Sequence, residues 1–275
     1  MTGKQSLFIR HIAVPQDHGS WVFILSPLVI GIFAGGRFTL ATLFFVIAAM
    51  AVFMMRQPVT VAVKAYAGRR PRADLPAARF WMLVYGSIAL AALVGLVLQG
   101  FLDMLYLAIP GVPVFAWHLY LVSRRAERKQ AGVEVVATGV LSLTAPAAYW
   151  IGRGLYDPLG WALWLLTWLQ SAASIVYTYL RLEQRLLTEK PSRLALWKMG
   201  RRALLYTSFN LALSLAAGLT GFLPGFIFIP FLLQWVEALW GITHPAIGGK
   251  PTRIGLRQLL VSTLFTVLFV LAWRF

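Results

Sequence analysis

The sequence predicts an all-α polytopic bundle of about nine transmembrane helices, with its N-terminus in the cytoplasm and its C-terminus outside. Three observations carry this expectation. Only 12% of the 275 residues are charged, whereas a soluble domain has about a quarter. The charges sit in blocks, separated by apolar runs of roughly 20 residues, the length a helix needs to cross a hydrocarbon core about 30 Å thick. Lys and Arg also alternate in abundance from one connecting segment to the next.

The runs are 21–36, 38–55, 78–100, 102–122, 134–152, 158–180, 202–222, 223–241 and 254–274. Together they make a single integral membrane domain over 1–275. Backbone polar groups in lipid need internal partners, so each run is read as a helix. Strands of a barrel alternate apolar and polar residues, and the run 78–100 is apolar on all sides. The first two runs meet around Gly36 and Arg37, and the seventh and eighth near Phe222 to Pro224. Each pair also reads as a hairpin of short helices.

Orientation follows from the basic residues, which favour the cytoplasmic side of short loops. With the N-terminus inside, 22 of the 25 Lys and Arg fall on the inner side. Arg37, Arg153 and Arg274 are left outside. The outer connections, such as Gly100 to Asp103 and Gly152 to Pro158, leave no room for an extracellular domain. The long segments 56–77 and 181–201 both face inward, and polar chemistry is expected on that side.

The net charge of +16 is explained by these loops, so nucleic acid is excluded as a partner and membrane lipids are expected instead. There is no cysteine, hence no disulfide and no thiolate chemistry. A bacterial inner (plasma) membrane fits this composition. The first run follows His11, Asp17 and His18 with no cleavage site after it, which reads as a permanent span. Pro27, Pro110, Pro113, Pro146, Pro224 and Pro230 interrupt apolar runs, and Ile109-Pro110-Gly111-Val112-Pro113 predicts a kink in the fourth span, because each Pro removes a backbone donor. Gly31 and Gly35 form a GxxxG, which allows close helix packing. No repeat is visible.

Candidate chemistry gathers on the cytoplasmic half. Ionisable groups at or inside the membrane are costly and mark function. In Pro15-Gln16-Asp17-His18-Gly19-Ser20-Trp21, Asp17 can orient or charge the His18 ring; the plain reading is a helix-entry turn capped by Ser20. In Tyr177 to Arg185, the positions of Tyr177, Arg181 and Arg185 share a helix face. Two guanidiniums there suit a phosphate or carboxylate, or simply meet lipid phosphates. Glu237 lies a turn inside the eighth span and needs a partner, with His244, Arg181 and Lys64 as candidates. Gln57 and Lys64 form a softer set. Asp17, His18 and Glu237 are therefore the candidate catalytic residues, and Tyr177, Arg181, Arg185, Lys64, Gln57 and His244 the candidate ligand-binding ones. His18, His118 and His244 share one side, but no close His pair supports haem or zinc. No metal is assigned and the cofactor is unknown. Gly248-Gly249-Lys250 lacks the rest of a phosphate-loop pattern.

Pro15-Gln16-Asp17-His18-Gly19-Ser20-Trp21 leading into Leu25-Ser26-Pro27-Leu28-Val29-Ile30-Gly31, with Tyr179-Leu180-Arg181 and with His244-Pro245 followed by Arg253-Ile254-Gly255, resembles the YwiC-like family of bacterial multi-pass membrane proteins. That resemblance brings no activity with it. The nine-helix order, with long cytoplasmic segments after the second and sixth spans, is distantly similar to the UbiA-type intramembrane prenyltransferases. These hold a prenyl diphosphate through Mg²⁺ on Asp-rich motifs. Here the corresponding segments offer Gln57, Lys64, Arg69 and Asp74, and then Arg181, Glu183 and Arg185, too few oxygens for two ions. The resemblance implies a cavity in which arginines replace the metal as anion clamp. The leading expectation is thus a membrane protein that binds or modifies an isoprenoid or another lipidic substrate with an anionic head. Whether it is an enzyme is left open. The alternatives are a transporter, disfavoured by spans that read as depleted of polar groups, and a non-catalytic assembly or cofactor-handling factor of a respiratory complex.

Overall fold

Every apolar run becomes a helix or a pair of helical pieces in the computed structural model, which describes residues 7–15, 18–126 and 130–275 and has no strand among them. The helices are α1 (Arg10–Ala13), α2 (His18–Gly35), α3 (Leu40–Tyr66), α4 (Leu75–Leu98), α5 (Gly111–Ser123), α6 (Ala131–Leu141), α7 (Thr144–Arg153), α8 (Leu159–Gln184), α9 (Arg193–Leu219), α10 (Phe228–Thr243) and α11 (Pro251–Ala272). Six helical segments of the described residues are long and apolar enough to cross a membrane: Leu40–Tyr66, Arg72–Leu98, Leu102–Ser123, Ala131–Arg153, Leu159–Gln184 and Pro251–Ala272. Gly19–Gly35 and Phe228–Thr243 are apolar but shorter. α9 has the length, but Thr207, Ser208, Asn210 and Ser214 dilute its apolar run. The protein is an all-α membrane protein.

The two long cytoplasmic segments read from the sequence are mostly helix. α3 continues through Pro58 to Tyr66 and α8 runs to Gln184, because basic residues at a helix end extend past the hydrocarbon without breaking the backbone ladder. The fourth run breaks as expected: a 3-10 turn over Leu102–Ala108 gives way to α5 at Gly111. Pro27 sits inside α2 without ending it. Pro113, Pro146 and Pro230 each occupy the first turn of a helix, where the missing N–H has no intrahelical partner to lose.

The chain divides into two compact units, one of residues 1–18 and 37–130, the other of 19–36 and 131–275. In the first, α3 and α4 pack closely where Gly95 meets the Phe44 ring. The short α1 lies on them through Ile12, Val61, Ala62, Ala77 and Ala78, all buried. Three side chains hold the backbone of this helix and of the residues before it: Trp81 Nε1 donates to Leu7 O at 3.0 Å, Gln57 Nε2 to His11 O at 2.8 Å and Tyr85 Oη to Ala13 O at 3.0 Å. Arg69 donates to the carbonyl of Val122 at the end of α5.

In the second unit the Gly31/Gly35 pair does what small residues allow between membrane helices. A Cβ on Gly31 would stand 2.2 Å from the carbonyl oxygen of Ala145, and one on Gly35 would stand 2.9 Å from that of Tyr149, so α2 rests on the backbone of α7. Ser26 Oγ and Thr266 Oγ1, 2.6 Å apart, tie α2 to α11. Trp164 and Trp168 reach from α8 to the α6 carbonyls of Gly139 and Val135 at 2.9 and 2.8 Å. Phe231, Phe265 and Phe269 join α10 to α11 in edge-to-face and tilted contacts, all fully buried.

The turn between α7 and α8 is closed by Asp157. Its carboxylate accepts from Tyr149 Oη at 2.7 Å and from the Leu159 amide at 2.9 Å, and its own carbonyl accepts from Trp150 Nε1 at 2.6 Å. The Tyr149 hydrogen bond first, then that amide, hold its carboxyl below the usual carboxylate range.

Two outcomes follow from these contacts. Gly31→Ala overpacks the α2–α7 seam and lowers stability by about 2 kcal/mol, read as a drop in melting temperature in detergent. Gly132→Ala, where a Cβ meets nothing within 4 Å, leaves it unchanged. Asp157 is depressed in the folded state, so its contribution is complete above the unfolded carboxylate value of about 3.9 and is lost as pH falls through the lower folded value. Hydrogen-exchange protection at residues 153–159, taken against the intrinsic rate at each pH, should fall as the pH drops below about 4, and Asp157→Asn should remove that dependence.

Candidate functional site

A polar stripe runs down one side of α8. Thr167, Gln170, Ser171, Ser174, Tyr177, Arg181 and Gln184 recur at three- and four-residue steps, which places them on one helix face, and all are buried. α10 answers with Gln234, Glu237 and Gly241, also buried. α11 adds Arg257 and Gln258, both half-buried. The spans are therefore not depleted of polar groups, as the sequence reading had it; the residues are dispersed in sequence and gathered by the fold.

At the upper end of this stripe, Glu237 is held by Arg257. Nε donates to Oε1 at 2.7 Å and Nη2 to Oε2 at 2.8 Å, the two-pronged geometry that suits a guanidinium to a carboxylate. Tyr177 Oη donates to Oε1 at 2.7 Å. A Cβ at position 241 would lie 2.3 Å from the Tyr177 hydroxyl oxygen, so glycine is what lets α10 approach here.

Arg181 points elsewhere. Its Nη1 donates to Gln184 Oε1 at 2.8 Å and to the carbonyls of Gly241 and His244 at 2.7 Å each. Those carbonyls belong to the C-terminal end of α10, where helix carbonyls lack intrahelical partners and carry the negative end of the dipole. Gln184 adds Nε2 to Gly241 O at 3.1 Å. Trp240 is the aromatic centre of the group. The Arg257 guanidinium lies 3.5 Å from its ring centroid, that of Arg181 5.3 Å, and the His244 ring stacks on it at 5.1 Å.

About 4.5 Å further along the helices, a distance of three residues, lies a second cluster. Nε2 of Gln170, of Gln234 and of Gln258 each donates to Ser174 Oγ at 3.1 Å. Gln234 Nε2 also reaches Gln170 O at 2.9 Å. Gln234 Oε1 is buried with no partner.

Of the residues nominated from the sequence, Tyr177, Arg181, Glu237 and His244 come together in the second unit. Arg185 is the C-cap of α8 and contributes its carbonyl, which accepts from the Gly248 amide at 3.2 Å; it does not join Arg181 in a clamp. Glu237 pairs with Arg257, not with His244, Arg181 or Lys64, because Arg257 on α11 meets the α10 face that carries the acid. Gln57 holds α1, and Lys64 lies in the last turn of α3, both in the first unit. Asp17 lies outside the described residues; His18 opens α2, and its side chain is likewise outside them. Arg257, Trp240, Gln184 and the Gln170/Ser174/Gln234/Gln258 cluster were missed. The signal for the α8 members was available as polar residues at 170, 174, 177, 181 and 184. Arg257 was counted only as a topology charge.

Two surface hollows occur elsewhere in the second unit. One, of about 490 Å³, is lined by Glu183, Lys198, Met199, Arg201 and Arg202. The other, of about 440 Å³, is lined by residues including Tyr149, Arg153, Asp157 and Trp273.

No solved structure matches the chain, so the architectural likeness to UbiA-type prenyltransferases gains no support from that side. Residues 14–149 match the family model described as YwiC-like protein. Over 196 residues the chain is 26% identical to the "Uncharacterized protein YwiC" of Bacillus subtilis (strain 168), covering 70% of this chain and 74% of that one. Both likenesses point to the same family, the family model matching residues 14–149 of the 275.

Proposed function

We propose that this protein is a YwiC-like, nine-span protein of the bacterial inner membrane, N-terminus in the cytoplasm and C-terminus outside. In this reading it binds a lipidic molecule, an isoprenoid phosphate or a similar anionic lipid, at the cytoplasmic end of α8, α10 and α11. The observation that supports the ligand's charge is a count of ions. Two guanidiniums, Arg181 and Arg257, sit around one carboxylate, Glu237, and Arg257 takes both of its oxygens. Arg181, 6% exposed, makes no ion pair of its own among the described residues and rests on carbonyls and an amide. A surplus positive charge in a low-dielectric setting is costly. A phosphate or carboxylate head relieves it.

Access favours a lipid. Arg257 uses Nε and Nη2 on Glu237, and its side chain is 40% exposed. Leu256, Leu260 and Leu264 on the same helix are exposed and offer a tail a surface. Lys198, Arg201 and Arg202 around a surface hollow of the same unit add attraction for anionic headgroups. Glu237 has both oxygens engaged, so its part is to hold Arg257 in place and set the local charge rather than to shuttle a proton. Asp17 and His18 keep their nomination as acid and base only through the sequence.

Two measurements test this. Detergent-purified protein should bind farnesyl phosphate, and Arg257→Gln should weaken that binding roughly 10- to 100-fold, the loss of one charge-assisted contact of about 1.5–3 kcal/mol; Arg37→Gln should not. No binding in the unaltered protein rejects the reading. Topology is open to labelling because the chain has no cysteine. In intact cells an impermeant maleimide should label Tyr156→Cys and Phe275→Cys but spare Lys190→Cys; the reverse pattern rejects the orientation.

A further inference from the structure

The amide cluster beneath the ion pair carries one more step, which rests on the lipid-binding reading just given. A serine hydroxyl oxygen has two lone pairs, yet Ser174 Oγ faces three amide donors at 3.1 Å, from Gln170, Gln234 and Gln258. One donor is therefore in surplus. In the same cluster Gln234, 6% exposed, has an orphan acceptor in Oε1. Gln170 Oε1 has only a long contact of 3.4 Å from Ser171 Oγ. A surplus donor beside an orphan acceptor, inside a membrane protein, is a site for a group that both donates and accepts.

We infer that the Gln170–Ser174–Gln234–Gln258 cluster binds a hydroxyl group. The hydroxyl accepts from the displaced amide N–H and donates to Gln234 Oε1. The Gln170 carbonyl, 2.9 Å from Gln234 Nε2, holds the Gln234 amide in this orientation, so Oε1 is the acceptor that remains open. A water molecule has this chemistry, and so does an alcohol carried by the ligand.

Geometry favours the ligand's own hydroxyl. The cluster lies three residues from the charged site along both helices, Ser174 from Tyr177 on α8 and Gln234 from Glu237 on α10. That is about 4.5 Å of axial rise, comparable to the few bonds that separate a phosphate from the next hydroxyl of a glycerol-based lipid. On α11 the two sites are neighbours, Arg257 and Gln258. Both are half-buried, while Leu256, Leu259 and Leu260 beside them are exposed. A lipid entering sideways along α11 meets the guanidinium with its phosphate and the amides with its hydroxyl. A polyprenyl phosphate has no hydroxyl to offer there. The ligand class is thereby narrowed to anionic lipids with a free hydroxyl between head and chain.

Binding of three probes to the purified protein tests the assignment: 1-oleoyl lysophosphatidic acid (phosphate and free hydroxyl), dioleoyl phosphatidic acid (phosphate and esters only) and farnesyl phosphate (phosphate alone). The lysolipid should bind on the order of 10-fold more tightly than the other two, the worth of one well-made hydrogen bond. Ser174→Ala, and separately Gln258→Met, should erase that advantage while farnesyl phosphate binding stays unchanged. Gln258 is half-exposed, so its variant keeps the test open should Ser174→Ala fail to fold. Equal binding of all three probes means the cluster holds water only and overturns this inference while leaving the charged site standing. Binding of none overturns the charged site as well.

Discussion

The ion pair between Glu237 and Arg257 is the constraint on which the second unit turns. Lipid offers no water to a carboxylate, so an acid one turn inside a helix has to be met by another helix. That requirement fixes α11 against α10 at a definite rotation, with Arg257 and Gln258 turned inward and Leu256 and Leu260 outward. Tyr177 then fills the remaining approach to Oε1 from α8. Three helices are thus set in register by one carboxylate. Continuum arguments and mutagenesis agree that such pairs add little net stability over an apolar replacement; what they supply is a specified arrangement, and here that arrangement includes a second guanidinium without an acid.

Arg181 shows how a charge can be kept in such a place. Its three acceptors are a glutamine and the carbonyls of Gly241, in the last turn of α10, and of His244, its C-cap, so a helix end supplies the partial negative charge that a carboxylate would otherwise bring. The same bonds close the C-terminus of α10 and position the His244 ring on Trp240. Structural and ligand-directed roles are therefore not alternatives for this residue. The bracing bonds use one nitrogen, and the charge remains.

Much of the fold was legible from the chain. Run length and charge blocks located the helices, six segments of which, among the described residues, are long and apolar enough to cross a membrane, and the Pro110–Pro113 segment broke where the missing donors required. The lengths of α3 and α8 were underestimated, because Arg56, Lys64 and Arg181 were read as the ends of spans, whereas long basic side chains let a helix continue through the interface. The site was half legible. Tyr177, Arg181, Glu237 and His244 were found because ionisable and aromatic groups near a membrane rim stand out. Gln170 and Ser174 stand at helical spacing with Tyr177 and Arg181 and went unread for want of charge, while Gln234 and Gln258, single polar residues on two other helices, raise no signal until packing turns them toward the same point. The partner of Glu237 was missed for a related reason: positive charges near a membrane face are expected from topology alone, and that expectation hid Arg257 among the others.

The strap formed by α1 has a consequence for how freely this region can drift in sequence. Leu7, His11 and Ala13 are gripped only by their carbonyl oxygens, which every amino acid possesses, whereas the gripping atoms belong to the indole of Trp81, the amide of Gln57 and the phenol of Tyr85. Replacement is tolerated on one side of these contacts and not on the other, with the buried Ile12 and Ala13 as exceptions. The segment leading to the first apolar helix is in this sense recognised by its path rather than by its letters.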